Sequence, residues 1–108
     1  MKQIDVYIML PGEAPYKARI DNTLEALQEI VGGYIEIVSF PKDLIVICNE
    51  EGRLRGLPET CDVCGVDFCG PVIFAGADGE EITDCPVHME PLIEELNKRR
   101  TDYVGQVC

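Results

Sequence analysis

Apolar residues in this chain recur first at strand spacing and then at helix spacing. Residues 4–10 are rich in β-branched and apolar side chains and stop at Pro11-Gly12, the pattern of a first strand and its turn. Residues 16–20 are short and extended, a partner for it. Then the period changes. Leu24, Leu27 and Val31 follow at helical spacing, Asn22 is placed to cap with Glu25 three residues on, and Gly32-Gly33 supplies a left-handed stop. The pattern predicts a helix over residues 23–31.

Two more strands, residues 34–40 and 44–49, flank Pro41-Lys42-Asp43. The second (Leu44, Ile45, Val46, Ile47, Cys48) is almost wholly apolar, as a central strand covered on both faces would be. Residues 49–56 are polar and glycine-punctuated, a turn with a short extended piece at Leu54. Residues 71–75 and 81–83 flank Gly76-Ala77-Asp78-Gly79 as a hairpin. A last helix opens near Pro91 with Leu92, Ile93 and Leu96 as its apolar stripe. Glu94 and Glu95 stand early in it and Lys98, Arg99 and Arg100 late, which suits the helix dipole.

Strands dominate in a mixed order. The expected fold class is α+β: a single domain over residues 1–108, with a mostly antiparallel sheet, one helix packed on a face and a C-terminal helix. The expected core contains Ile8, Leu24, Leu27, Ile37, Leu44, Val46, Ile73 and Leu96.

Length and charge then narrow the function classes. At 108 residues a second independent core would be hard to fill. Nine Lys and Arg against twenty Asp and Glu give a formal net charge of −11, which repels phosphate backbones and anionic membranes. Direct nucleic-acid binding and membrane association are therefore not expected. The opening MKQIDVYIML lacks the features of an export signal, so the expected location is the cytoplasm.

Six cysteines (Cys48, Cys61, Cys64, Cys69, Cys85 and Cys108) are many for this length. Cys48, inside the most apolar strand, reads as a buried, inert thiol. Cys61-Asp62-Val63-Cys64-Gly65 has the form of a zinc knuckle, and Cys85-Pro86-Val87-His88 repeats its spacing with the chain's one histidine. Ligands three positions apart on a tight turn can converge on one ion, and four complete the tetrahedron Zn²⁺ accepts in structural sites. The resulting expectation is one structural Zn²⁺ on Cys61, Cys64, Cys85 and His88, in a knuckle-like insertion over residues 59–90. Cys69 would lie outside the shell. The same residues also suit a reduced, metal-free cluster or a redox pair, although Gly65, Gly70 and Pro71 oppose the helix a thioredoxin-like motif requires.

The polar stretch leaving the central strand carries Asn49, Glu50, Glu51, Arg53 and Arg55. Loops set at strand ends by a rigid scaffold often bind partners. Tyr34 and Glu36 share one face of their strand. Tyr34, Glu36, Asn49, Glu50, Glu51 and Arg53 therefore form the candidate recognition surface. No catalytic constellation emerges.

The runs Leu24-Glu25-Ala26-Leu27-Gln28, Val31-Gly32-Gly33-Tyr34-Ile35-Glu36, Asn49-Glu50-Glu51-Gly52, Gly56-Leu57-Pro58 and Gly70-Pro71 resemble the family known as domain of unknown function 3846. The resemblance covers residues 4–84 and departs after Pro58, where Glu59-Thr60-Cys61 opens the cysteine cluster. It implies a small protein of phages, plasmids or gut bacteria and no settled activity. The functional expectation is a non-enzymatic binding or interaction protein, an accessory factor of a phage or mobile element, with a protein or small-molecule partner. Two rival classes remain: a small hydrolase or nucleotide-handling enzyme using Glu50, Glu51 or a metal-bound water, and an acidic inhibitor that imitates nucleic acid.

Overall fold

The computed structural model describes the backbone of residues 2–107 and the side chains of residues 2–98. Eight strands and two helices run in the order β1 (Gln3–Met9), β2 (Tyr16–Asp21), α1 (Leu24–Val31), β3 (Ile35–Phe40), β4 (Leu44–Asn49), β5 (Glu59–Val63), β6 (Val66–Cys69), β7 (Val72–Asp78), β8 (Glu81–Thr83) and α2 (Glu90–Val107). β2, β1, β7, β4 and β3 lie side by side in that order, with β8 also on β7, in one six-stranded sheet. β5 and β6 form a separate hairpin. Every pairing is antiparallel. The expected α+β class is what the chain adopts.

Both faces of the sheet are covered, which explains the unbroken apolar run of β4. All six β4 residues are buried, and alternation sends Ile45 and Ile47 to one side and Val46 and Cys48 to the other. The first side is closed by α1. Leu27 and Val31 from the helix pack on Ile4, Val6, Ile8, Ile45, Ile47, Ile73 and Ala75. On the second side Cys61, Val63 and Phe68 of the hairpin and Ile93 and Leu96 of α2 pack on Met9, Val46, Val72 and Phe74. The structure is a three-layer sandwich with the sheet in the middle.

Several local expectations shift. Thr23, not Asn22, caps α1: its Oγ1 accepts the Ala26 N–H at 3.1 Å, while the Asn22 side chain donates to the Ile82 carbonyl at 3.0 Å. Leu24 and Ile37, expected in the core, are 54% and 44% exposed. Leu24 sits in the first turn of α1 and Ile37 on an edge strand, where the apolar period continues past the surface it can bury. The other six expected core residues are buried. β7 extends to Asp78 and turns over Gly79-Glu80, because Asp78 faces Glu81 directly. A 3₁₀ turn at Val87–Met89 precedes α2, which begins one residue before Pro91. Arg99, Arg100 and Cys108 lie outside the described side chains.

Residues 59–69, where a knuckle-like insertion was expected to begin, form a β-hairpin. Val63 faces Val66, so Cys64-Gly65 is a two-residue turn, and both central residues have positive φ, 50° and 84°. That is the signature of a type I′ turn, whose twist matches the flanking strands and which strongly favours glycine at its second position. The Asp62 carboxylate accepts the Gly65 N–H at 3.1 Å and holds the turn.

Candidate functional site

β4 emerges at Asn49, the buried polar residue of the core, 5% exposed. Its amide donates to the Val31 carbonyl at the end of α1 (3.1 Å) and its oxygen accepts the Glu51 N–H (2.8 Å). One side chain thus ties strand, helix and loop together. The loop that follows is bound at several more points. Glu50 N–H donates to the Tyr34 carbonyl, Leu57 N–H to the Gly52 carbonyl, and the Arg55 guanidinium to the Gly32 carbonyl at 3.2 Å. Gly52 packs against β6 so closely that a Cβ there would stand 2.9 Å from the Cys69 carbonyl oxygen. This close approach, rather than positive φ, is why a glycine is needed.

The loop and the β5–β6 hairpin form the two walls of a groove of about 140 Å³. Glu36, Val38 and Cys48 make its floor; Asn49, Glu50, Gly52, Arg53 and Leu54 one wall; Val66, Asp67, Phe68 and Cys69 the other. Phe68 is fixed by an edge-to-face contact with Phe40, ring centroids 6.4 Å apart. Arg53 crosses to the hairpin, 3.6 Å from the Asp67 carboxylate and 3.4 Å from its carbonyl. The rim therefore carries the carboxylates of Glu36, Glu50 and Asp67 against one guanidinium. At its lip Leu54 is 88% exposed.

Of the six expected recognition residues, the structure brings Glu36, Asn49, Glu50 and Arg53 together on this groove. Asn49 acts there as a brace rather than a contact. Tyr34 contributes a backbone carbonyl to the loop while its exposed ring lies off the groove, and Glu51 offers its N–H to Asn49. Phe68, Asp67 and Leu54 were missing from the expected surface. No local signal places residues 66–69 beside residues 50–54, since that contact depends on the hairpin folding back.

The four expected zinc ligands lie on β5, on its turn, on the segment after β8 and on the 3₁₀ turn before α2. Cys61 points from β5 into the core and Cys64 is exposed at the turn. Cys85 is half-buried against the same core cluster, and the His88 Nε2 lies 3.1 Å from the Lys42 carbonyl oxygen. Among the described residues no group of three or more His, Cys, Asp or Glu side chains is placed to hold a metal ion. Cys48, Cys61 and Cys85 pack as small hydrophobes. Burial pushes Cys61 up to about 12, and Cys48 and Cys85 up to about 11, with the Glu36 carboxylate adding to the effect at Cys48. Thiols so held are poor nucleophiles at neutral pH.

A second, larger hollow of about 420 Å³ opens over β1 and β2 and was not foreseen from the sequence. It carries Asp5, Tyr7, Lys17, Arg19, Asp84 and Glu90. The trace it leaves in the sequence is the polar set Asp5, Lys17 and Arg19 alternating with buried Ile4 and Val6 and half-buried Ala18. Its charges satisfy one another. Arg19 grips both Asp5 oxygens (2.8 and 3.2 Å), holding that carboxyl below its usual range, and Lys17 lies 3.9 Å from Glu90. Asp84 accepts the Asp5 N–H at 2.8 Å, and Cys85 N–H donates to the Asp5 carbonyl. This hollow clasps the segment after β8 to β1.

Fold and site together define a small α+β domain whose surface carries a loop-walled groove rimmed by carboxylates and a larger hollow over β1 and β2. The family model described as "Domain of unknown function (DUF3846)" matches residues 1–98, and the chain belongs to that family. No curated protein and no solved structure matches it. Among the described residues no helix is long and apolar enough to cross a membrane.

Proposed function

We propose that this protein is a non-enzymatic interaction protein, a cytoplasmic accessory factor of a phage or mobile element, that docks a basic protein partner on the groove and its loop. The observation that carries this reading is the pairing of Leu54, 88% exposed at the loop's tip, with Asn49, buried at its root. A leucine held in water on a braced loop has already lost much of the freedom that binding would otherwise take away. The carboxylates of Glu36, Glu50 and Asp67 around it suit a partner whose rim is basic, and the net charge of −11 would speed its approach. Thiols with pKa values raised by burial suit packing better than nucleophilic turnover.

A photocrosslinking amino acid at position 54, compared with one at the exposed Glu29 of α1, tests this in host lysate. The expected result is a discrete crosslinked protein from position 54 alone, lost at about 0.5 M NaCl, where surface attraction is screened. Equal crosslinking from both positions would overturn the reading. So would turnover of a nucleotide by the purified protein.

A further inference from the structure

The five-strand path of the sheet ends in β2 and β3, and these two edges differ. β2, at one edge, carries Lys17, Arg19 and Asp21 within six residues, the charged side chains by which edge strands discourage pairing with other chains. β3, at the other, reads Ile-Glu-Ile-Val-Ser-Phe, with one charge and no proline. Its ladder to β4 fixes which backbone groups face outward. Glu50 N–H donates to the Tyr34 carbonyl, so Tyr34 and Glu50 are a hydrogen-bonded pair in the register that continues through Ile35 opposite Asn49. Antiparallel pairs alternate between bonded and non-bonded. The N–H and C=O groups of Ile35, Ile37 and Ser39 therefore face away from β4, and among the described residues no strand but β4 pairs with β3.

We infer that the β3 edge is a homodimer interface at which β3 pairs antiparallel with β3 of a second copy, on a two-fold axis through Ile37. The register is self-complementary. Ile37 faces Ile37 of the second copy and Ile35 faces Ser39, all through outward backbone groups. Glu36 faces Val38 and Tyr34 faces Phe40, so no like charges stand directly opposite one another. Ile37, 44% exposed in the monomer, gains an apolar neighbour. The two sheets become one continuous sheet, and the unsatisfied edge disappears.

Electrostatics sets the condition for observing the dimer. Each copy carries −11, so the copies repel at low ionic strength and added salt favours pairing. That is the opposite sign to capture of a basic partner, so the two proposals fail separately. Sedimentation velocity from roughly 10 μM to roughly 1 mM protein, in about 0.05 and about 0.5 M NaCl, should show a dimer fraction that rises with both. Ile37→Lys, which sets two ammonium groups face to face, should raise the dissociation constant at least about tenfold. Ile37→Pro should do the same with its sheet signal intact, because the N–H it removes serves no bond to β4.

A covalent trap fixes the register. With Cys64 and Cys108 replaced by serine, Ile37→Cys should oxidise in air to a disulfide-linked dimer, because bonded antiparallel pairs place Cα atoms about 5.5 Å apart. In that step two thiols lose two electrons and two protons to dioxygen. Ser39→Cys alone should not crosslink. A monomer throughout the concentration series, or equal crosslinking from positions 37 and 39, would overturn the inference.

Discussion

The two faces of the sheet are closed in different ways. The α1 face is aliphatic and comes mostly from the first half of the chain, with Ile73, Ala75, Ala77 and Ile82 added from the second. The opposite face mixes Phe68 and Phe74 with Met9, Cys48 and Cys61, and its cover comes from the hairpin and α2, far along the chain. The buried cluster of the first face is made of aliphatic side chains. The second contains two buried thiols, a third packed against them, and the candidate groove at its rim. The first face is closed largely by neighbouring segments, and the second only when the hairpin and α2 fold back over it.

The sharpest way to break this contrast is to empty each face in turn. Phe74→Ala should cost about 3–5 kcal/mol, since the ring is fully buried beneath the hairpin and α2. Ile73→Ala, one residue away on the α1 face, should cost about 2–5 kcal/mol. Urea denaturation gives the totals and hydrogen exchange gives the location. Phe74→Ala should raise exchange first in residues 59–69, Ile73→Ala first in α1. Indistinguishable exchange patterns would mean that the faces are not separable units.

Asn49→Ala comes next, at about 1–3 kcal/mol, because the Val31 carbonyl and Glu51 N–H lose their partner in a buried setting. Amide exchange should rise across residues 50–57 while β4 stays protected. A uniform loss of protection would show that Asn49 supports the core rather than the loop.

These positions also mark how far the sequence could be read. β1, α1, β3 and β4 were legible because each writes its own period and its own stop signal. Asn49 was legible as a candidate only from its place after a buried strand; its role as a brace depends on α1 ending nearby. The β5–β6 hairpin was not legible as such, because a Cys-x-x-Cys-Gly spacing suits a metal knuckle and a plain strand turn alike. The backbone places the turn at Cys64-Gly65, with Val63 facing Val66 and Cys61 inward. The groove was half legible. Its floor and one wall come from the neighbouring strands β3 and β4 and the loop that follows, and the other wall arrives through a long-range contact that no local pattern records.

The thiols of the second face give a smaller effect, with a defined pH sign. Their folded pKa values are raised, to about 11 for Cys48 and Cys85 and about 12 for Cys61, above the ordinary thiol value. Above that ordinary value the unfolded chain loses protons that the folded chain keeps, so stability is full at neutral pH and declines as pH rises toward 11. The slope is at most about 1.4 kcal/mol per pH unit for each thiol. Cys85→Ala should flatten the decline measured by urea denaturation across this range. An unchanged slope would assign the decline to other groups.

The smallest expected effect decides between the two readings of the cysteine turn. Cys64→Asn replaces an exposed residue at φ 50° with one that tolerates positive φ well and pairs with glycine in type I′ turns. As a turn residue it should leave stability unchanged or raise it by about 0.5 kcal/mol, since left-handed backbone is costly for most side chains and least so for Asn. As a zinc ligand its loss would remove a quarter of the coordination shell, and structural zinc contributes about 10–16 kcal/mol of apparent binding energy in finger peptides. The two outcomes differ in sign as well as size. Denaturation of wild type and variant, each with and without a chelator, separates them: a turn predicts four superimposable curves, and a metal site predicts a wild-type curve that collapses onto the variant's when chelator is added.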